Sequence, residues 1–202
     1  MEKIIDYPIN QFLNLCNQNL VNRLHDAPFL LRFLRTKKFS VPQACEMLER
    51  YLTIRQLYPQ WFRNLDCEDP NLANIINSGY LVPLLERDNG RQIIFSCAGN
   101  FDPHKYTSAD MVRVHSLVTE ALMDDESNQI NGYTYINDES GFQMAHISLW
   151  SLTDVRNILR CIQLRHNLEL LSRCKGGCPS SSRLVIAICH LIMLASSFIH
   201  AS

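Results

Sequence analysis

Two histidines, His115 and His146, have the side-chain chemistry of a general base. A catalytic histidine needs a nucleophile within hydrogen-bond reach, as in the Gly-x-Ser-x-Gly turn of many hydrolases. The sequence contains no such turn, and it contains no glycine-rich loop for a phosphate because Gly99 and Gly141 stand alone. Both histidines are therefore predicted to be structural, and no catalytic residue is predicted.

The cysteines raise the question of a metal site. Cys174, Cys178 and the adjacent pair Cys189-His190 are zinc-ligand residue types. Their spacing fits no standard zinc pattern, and a neighbouring Cys and His cannot easily share one tetrahedral ion, so no metal site is predicted. The eight cysteines have no repeating spacing, and the first residues contain no apolar run long enough for a signal peptide. We therefore expect free thiols in a reducing, cytosolic compartment.

Charge is unevenly distributed along a chain whose net charge is only −1. Residues 23–63 carry eight Lys or Arg against three acidic residues, whereas residues 120–140 carry six acidic residues and no basic one. The near-neutral total gives no indication of nucleic-acid binding. Four basic side chains lie among the apolar residues of one helical segment: Arg32, Arg35, Lys37 and Lys38. They are interpreted either as a solvated helix face or as a contact for anionic lipid headgroups.

A small sheet is predicted in the middle of the chain. Two apolar runs, at 80–85 and 92–98, are joined through Asn89-Gly90, the dipeptide typical of a tight β-hairpin. A third strand is predicted over 132–137, after a helix that Thr107 can cap. Because a strand–helix–strand unit is almost always parallel, the second and third strands are expected to be parallel neighbours.

Helices are predicted on both sides of this sheet in the sequence. Asp26-Ala27-Pro28 and the capping box Ser40-Val41-Pro42-Gln43 are typical helix starts, and the second of these helices is expected to stop at Pro59. Asp69-Pro70 predicts the start of a short helix, and another helix is expected to begin near Ser148. The predicted fold class is therefore α/β, with an N-terminal helical bundle followed by a β-sheet flanked by helices.

The same segments resemble a known family. Segment 30–39, LLRFLRTKKF, followed by Ala44 and Met47-Leu48, resembles the N-terminal helical module of the CRAL-TRIO lipid-transfer proteins. Four further segments resemble the lipid-binding domain of that family: 88–94, 102–103, 131–132 and above all 138–146. The resemblance is to the branch that contains alpha-tocopherol transfer protein and cellular retinaldehyde-binding protein.

The resemblance implies a non-enzymatic cytoplasmic carrier, with no cofactor, that encloses one hydrophobic small molecule between a sheet and covering helices. The ligand would be a retinoid, tocopherol or related lipid, exchanged during transient association with membranes that contain phosphatidylinositol bisphosphate. Contact with those membranes is assigned to Arg32, Arg35, Lys37 and Lys38, and the protein is expected to be a monomer. The predicted ligand-binding residues are apolar or aromatic: Ile93, Phe95, Tyr133, Tyr135, Phe142, Met144, Ile147 and Trp150. Ordinary core packing is the alternative for each of them.

The chain is divided into a helical module at 1–66, a partial lipid-binding domain at 67–163 and a divergent tail at 164–202. The resemblance is interpreted to stop after about Gln163, which suggests a C-terminally truncated variant. Without later strands, the edge of the third strand is unpaired and the cavity is open, so marginal stability and weak ligand retention are expected.

Two functions remain open at this point. The first is the lipid carrier, and the second is an interaction module that the apolar run at 184–195 anchors to a membrane without any carried ligand. A helix that packs over the sheet is the alternative for that run. An apolar cavity between the sheet and the helix after Thr107 would favour the carrier.

Overall fold

The computed structural model describes residues 27–163, and the side chains of residues 27–158. Four helices precede the sheet: α1 (Ala27–Thr36), α2 (Val41–Leu57), α3 (Pro59–Phe62) and α4 (Pro70–Asn77). The sheet and its helices follow in the order β1 (Leu81–Asp88), β2 (Arg91–Cys97), α5 (Ser108–Leu122), α6 (Glu126–Asn131), β3 (Tyr133–Asp138), α7 (Met144–Ser148) and α8 (Leu152–Gln163). The predicted class, helices followed by a sheet flanked by helices, is confirmed.

Helices α1 and α2 bury one face each in a first apolar cluster. Leu30, Phe33 and Leu34 of α1 lie three and four positions apart, which is the spacing of one helix face. They pack on α2, where the Tyr51 ring meets the Phe33 ring edge-on at a centroid distance of 5.3 Å. Ser40 precedes α2 as predicted, but its side chain makes no capping hydrogen bond, so the expected capping box does not form.

Helix α3 joins the helical region to the rest of the molecule. Pro59 was expected only to end a helix, yet it also occupies the first turn of this short one, where its missing N–H costs nothing. Trp61 of α3 is buried and stacks on Tyr58 at 4.9 Å. Both rings belong to a second apolar cluster that also contains Ile94 of the sheet. The end of α2 and helix α3 therefore share a core with the sheet, whereas α1 and the rest of α2 form the first cluster.

The sheet has the strand order β1-β2-β3 within the described residues. Strands β1 and β2 are antiparallel and are joined through Asn89 and Gly90, whose φ values of 52° and 85° suit a tight hairpin turn. Strands β2 and β3 are parallel, as predicted from the intervening helix. The pairing of β1 with β2 shifts register between Pro83 and Arg87, a bulge that the sequence did not indicate.

The crossover from β2 to β3 contains two helices, although one was predicted. Thr107 and Asp110 exchange side-chain and backbone hydrogen bonds at the start of α5, a complete capping box. The acidic run at 124–126 was expected to end the helical crossover. Instead, Asp125 accepts the backbone N–H of Ser127 at 2.8 Å and caps α6. The acidic residues therefore start a helix as well as ending one.

Two glycines let the segment after β3 cross the end of β2. The backbone N–H of Gly99 donates to the carbonyl of Ser140 at 2.9 Å. A Cβ on Gly99 would lie 2.7 Å from that carbonyl oxygen, and a Cβ on Gly141 would lie 2.7 Å from the Cα of Gly99. Gly141 also has a φ of 78°, a conformation that other residues rarely adopt. The crossing therefore requires glycine on both sides.

We expect Gly141→Ala to destabilise the protein more than Gly132→Ala does. Both glycines have positive φ, at 78° and 77°, so an alanine strains the backbone at either position by about 1–3 kcal/mol. Only the alanine at Gly141 also meets a neighbouring backbone, which adds about 1–3 kcal/mol. Urea unfolding of the two variants measures the difference. Equal losses of unfolding free energy would show that the crossing at Gly99 relaxes freely.

Candidate functional site

One face of the sheet, called here the α5 face, carries Ile94, Tyr133 and Tyr135. Ile94 and Tyr135 are partners in the parallel register, and Tyr133 lies two residues earlier on β3, so all three side chains point the same way. Ile94 is buried in the second cluster with Met111 and Val114 of α5, and both tyrosine rings pack half-buried against that cluster. The two tyrosines therefore lie between the sheet and the helices.

The opposite face of the sheet carries the other two predicted strand residues, Ile93 and Phe95. They alternate with Ile94 along β2 and are half-buried, and neither belongs to the two apolar clusters. Phe95 pairs with Ile136, whose side chain is 42% exposed. The structure therefore does not bring Ile93 and Phe95 together with Tyr133 and Tyr135, because the sheet lies between them.

The four predicted residues after β3 have different surroundings. Trp150 packs half-buried against the second cluster, on the same core as the two tyrosines. Ile147 is half-buried, and the Phe142 ring stacks on the His146 ring at 5.1 Å. Met144, the first residue of α7, is 73% exposed. Of this group, Trp150 is the residue that the structure places against the core under the α5 face.

His146 fixes the position of this segment. The backbone N–H of Gln143 donates to Nδ1 of the buried His146 at 3.0 Å, which leaves Nε2–H to donate to the carbonyl of Phe101, also at 3.0 Å. In this arrangement Nδ1 accepts a hydrogen bond and Nε2 carries a proton that it donates. Both ring nitrogens are hydrogen-bonded to backbone groups, as expected for the structural role that the sequence favoured for this histidine.

His115 is the second buried histidine, in the middle of α5. Its Nε2 lies 3.1 Å from the hydroxyl oxygen of Tyr80, and the two rings meet edge-on. Burial lowers the pKa of His115 to about 4, because the charged form would lose its hydration. The pair therefore forms a neutral polar contact inside the second cluster, between α5 and the residue that precedes β1.

A second polar group holds the N-terminal helices against α5. The Glu120 carboxylate accepts hydrogen bonds from Arg32, Arg55 and the Tyr51 hydroxyl, with the tyrosine oxygen at 3.0 Å. We call these four residues the Glu120 network. The Arg55 guanidinium also lies 3.5 Å from the centroid of the Tyr51 ring, in a cation–π contact. Burial is the main cause that raises the pKa of Tyr51 above its usual range, so its hydroxyl remains a donor.

The same interface engages two of the four basic residues that were assigned to membrane contact. Arg32 is paired with Glu120 and Asp124, and Arg35 is paired with Glu126 at 3.0 Å. Lys37 is half-buried and Lys38 is exposed at the end of α1, and within residues 27–163 no ion pair involves either lysine. The basic and acidic segments found in the sequence therefore meet at this interface.

Sequence reasoning did not identify Glu120 or the contact of His115 with Tyr80. The excess of bases at 23–63 and of acids at 120–140 was the available signal for Glu120, but the two segments were read as separate surfaces. Pairing His115 with Tyr80 requires knowledge of which helix face meets the start of β1. The cysteines Cys174, Cys178 and Cys189, for which no metal site was predicted, and the apolar run at 184–195 lie outside the described residues. Within 27–163, no helix has both the length and the apolarity needed to cross a bilayer.

The CRAL/TRIO domain family matches residues 77–188, more than half of the chain, and the CRAL/TRIO N-terminal domain matches residues 8–50. The chain belongs to the CRAL/TRIO family. The larger match contains the whole described sheet, and the smaller one contains α1 and most of α2. The CRAL/TRIO domain match also continues past Gln163 to residue 188, so the similarity extends into the segment predicted to be divergent.

Curated relatives of this CRAL/TRIO chain include the clavesins. Clavesin-1 of Xenopus laevis is 36% identical over 124 residues, which cover 61% of this chain and 37% of that protein. Clavesin-1 of Rattus norvegicus is 36% identical, over 61% of this chain and 35% of the relative. Clavesin-2 of Homo sapiens is 34% identical, over 61% and 38%. The matched segment therefore spans well under half the length of these relatives.

We expect Glu120→Ala to lower the free energy of unfolding by about 2–4 kcal/mol, because it leaves the largely buried Arg55 without its carboxylate and Arg32 with Asp124 alone. Glu46→Ala is the matched control, since Glu46 pairs with Arg50 on the exposed surface of α2 and its loss costs about 0.5 kcal/mol or less. Urea unfolding at neutral pH measures both. Equal effects of the two substitutions would show that the Glu120 network does not hold the helices to α5.

Stability should fall between pH 6.5 and pH 4 because of His115. In the unfolded chain this histidine takes up a proton near pH 6.5, whereas in the folded protein it does so only near pH 4. The unfolded state therefore binds more protons in this window, and folding loses up to about 3 kcal/mol as the pH falls. His115→Gln should remove this part of the pH dependence, and His104→Gln, at an exposed position, should not. Chemical unfolding at several pH values tests this, and parallel curves for the wild type and His115→Gln would contradict it.

Proposed function

We propose that this CRAL/TRIO chain is a non-enzymatic cytoplasmic carrier of one hydrophobic small molecule, a retinoid, a tocopherol or a related lipid. The observation that carries the proposal is the α5 face, where Tyr133, Tyr135 and Trp150 pack half-buried against one apolar core between strand and helix. Large aromatic side chains that are only half-buried leave contact area for a further apolar partner. Membership of a lipid-binding family makes a lipid the partner of choice.

The α5 face suits a ligand better than the opposite face does. A pocket that holds a small molecule encloses most of the ligand surface, so it needs walls on more than one side. On the α5 face, the sheet, α5 and the segment around Trp150 all contribute side chains to one apolar cluster, so a ligand there would meet apolar groups from all three. Ile93 and Phe95, on the opposite face, belong to neither apolar cluster of the described residues. We therefore place the ligand beside Tyr133, Tyr135 and Trp150, with Ile147 and Phe142 nearby in sequence.

The energetics of such a carrier are those of transfer between two apolar environments. Burying ~400 Å² of lipid surface from water contributes about 10 kcal/mol, which makes escape into water rare. The same lipid in a bilayer is already surrounded by hydrocarbon, so the hydrophobic contribution nearly cancels on transfer from membrane to protein. Shape and polar contacts must then decide which lipid the protein extracts.

Exchange at membranes that contain phosphatidylinositol bisphosphate is the second part of the proposal. Lys37 and Lys38 support it, because they lie at the end of α1 outside the described ion pairs. Each lysine near an anionic leaflet adds about 1 kcal/mol of attraction. Arg32 and Arg35 are engaged with acidic residues of this chain, so they would contribute only when those ion pairs exchange for lipid phosphates.

Lipid retained by the purified chain tests the proposal, with Tyr135→Ala and Phe95→Ala as a matched pair. Both remove a half-buried aromatic ring, from adjacent strands but opposite faces of the sheet. We expect wild type to hold a hydrophobic lipid, Tyr135→Ala to hold it at least about tenfold less tightly and Phe95→Ala to hold it nearly unchanged. Extraction and mass spectrometry, normalised to folded protein, give the bound amount.

The outcomes test the carrier function separately from the position of the bound lipid. If the wild type carries no lipid after purification and takes up none from vesicles, the carrier function is wrong. If Phe95→Ala loses the lipid and Tyr135→Ala keeps it, the function stands and the ligand lies on the opposite face of the sheet.

A further inference from the structure

The indole N–H of Trp150 is buried without a hydrogen-bond acceptor among the described residues. Buried tryptophans usually find a partner for this group, because a buried donor that has lost its water is costly. The Trp150 ring itself packs against the second cluster, which also holds Tyr133 and Tyr135. This N–H, which has no acceptor among the described residues, therefore belongs to a ring that packs on the same cluster as the face where we propose the lipid to bind.

The backbone on both sides of Trp150 is fixed. Its own N–H donates to the carbonyl of Ile147 at 3.0 Å, at the end of α7. The next residue, Ser151, caps α8: its hydroxyl oxygen accepts the backbone N–H of Asp154 at 3.0 Å, and its backbone N–H donates to the Asp154 carboxylate. The backbone that carries the indole is thus held between two helix ends, and the ring itself packs against the second cluster. A donor that is already in place loses little entropy when an acceptor arrives.

We propose that the Trp150 indole N–H donates a hydrogen bond to an uncharged oxygen, a carbonyl or a hydroxyl, of the carried lipid. This inference rests on the proposed carrier function. The indole nitrogen can only donate, so it recognises an acceptor and not a second donor. It also carries no positive charge, so a buried carboxylate would remain without a counter-ion there. Because bilayer and pocket are similarly apolar, one such bond is enough to favour an oxygenated lipid over its hydrocarbon analogue.

The test compares two retinoids that differ in one oxygen. All-trans-retinal ends in an aldehyde, and axerophthene is the hydrocarbon of the same length. Trp150→Phe removes the N–H, and replacement of Trp150 by benzothienylalanine removes it while keeping the bicyclic shape. We expect wild type to prefer retinal over axerophthene, and both variants to lose about fivefold to tenfold in that preference. Trp61→Phe, which truncates the other tryptophan of the same cluster, should keep the preference.

A vibrational measurement distinguishes a hydrogen bond from a packing effect. The carbonyl stretch of bound retinal should lie at lower frequency in wild type than in the benzothienylalanine protein. Retinoic acid should bind more weakly than retinal to wild type. Equal retinal preference in wild type and both variants, or an unshifted carbonyl stretch, would overturn the role of Trp150 and leave the carrier function intact. Failure of wild type to bind any of the three retinoids or any lipid would overturn the carrier function and this inference together.

The unliganded protein supplies one more check. If the N–H lacks a protein acceptor, the benzothienylalanine protein should melt at the same temperature as wild type or higher, because no bond is lost and an unsatisfied donor is removed. A clear drop in melting temperature without ligand would show that the indole already has an acceptor in the chain. That result would also overturn the proposal.

Discussion

The parallel pairing of β2 with β3 is the constraint on which the rest of the structure depends. Once Ile94 is opposite Tyr135, the alternation of strand side chains decides which residues meet α5 and which do not. A shift of one residue would exchange the two faces and place Ile93 and Phe95 against the core. The crossover through α5 and α6 makes the pairing parallel. The register is the one that packs Ile94 of β2 against the buried residues of α5.

The helical region depends on a different interaction, between charges that lie far apart in the sequence. Arg32 and Arg55 come from two helices and meet the same carboxylate, Glu120, near the end of α5. Desolvating three charged groups is costly, and the Tyr51 hydroxyl and ring offset part of that cost by hydrogen bonding to Glu120 and stacking on Arg55. Burial of Trp61 in the second cluster attaches the helical region to the sheet domain. The ion pairs with Glu120 orient α1 and α2 against α5.

Sequence patterns were most successful where the cause of a structure is local, although the capping box expected at Ser40 does not form. The Asn89-Gly90 turn, the Thr107 cap and the parallel crossover all follow from residues close together in the chain, and the structure confirms them. The cap at Asp125 was missed because the acidic run was interpreted only as the end of the preceding helix, although acidic residues are typical of a helix start. The pairing of distant residues, such as Arg55 with Glu120, depends on how helices dock, and no local pattern records it.

The same difference between local patterns and long-range pairing applies to the candidate site. Apolar strand residues were recognised as candidates, but Ile93 and Tyr133 could not be assigned to different faces without the register. The family makes a lipid the expected ligand, and the structure shows half-buried tyrosines on the α5 face, packed against the second cluster. In the proposed function, the uncovered surface of these rings is where an apolar ligand would bind.

The most direct measurement is a set of nuclear Overhauser effects between a bound lipid and the aromatic rings of the isotope-labelled chain. We expect contacts from the lipid to Tyr133, Tyr135 and Trp150, and none to Phe95. Contacts to Phe95 without any to Tyr135 would contradict the placement of the ligand between the sheet and α5.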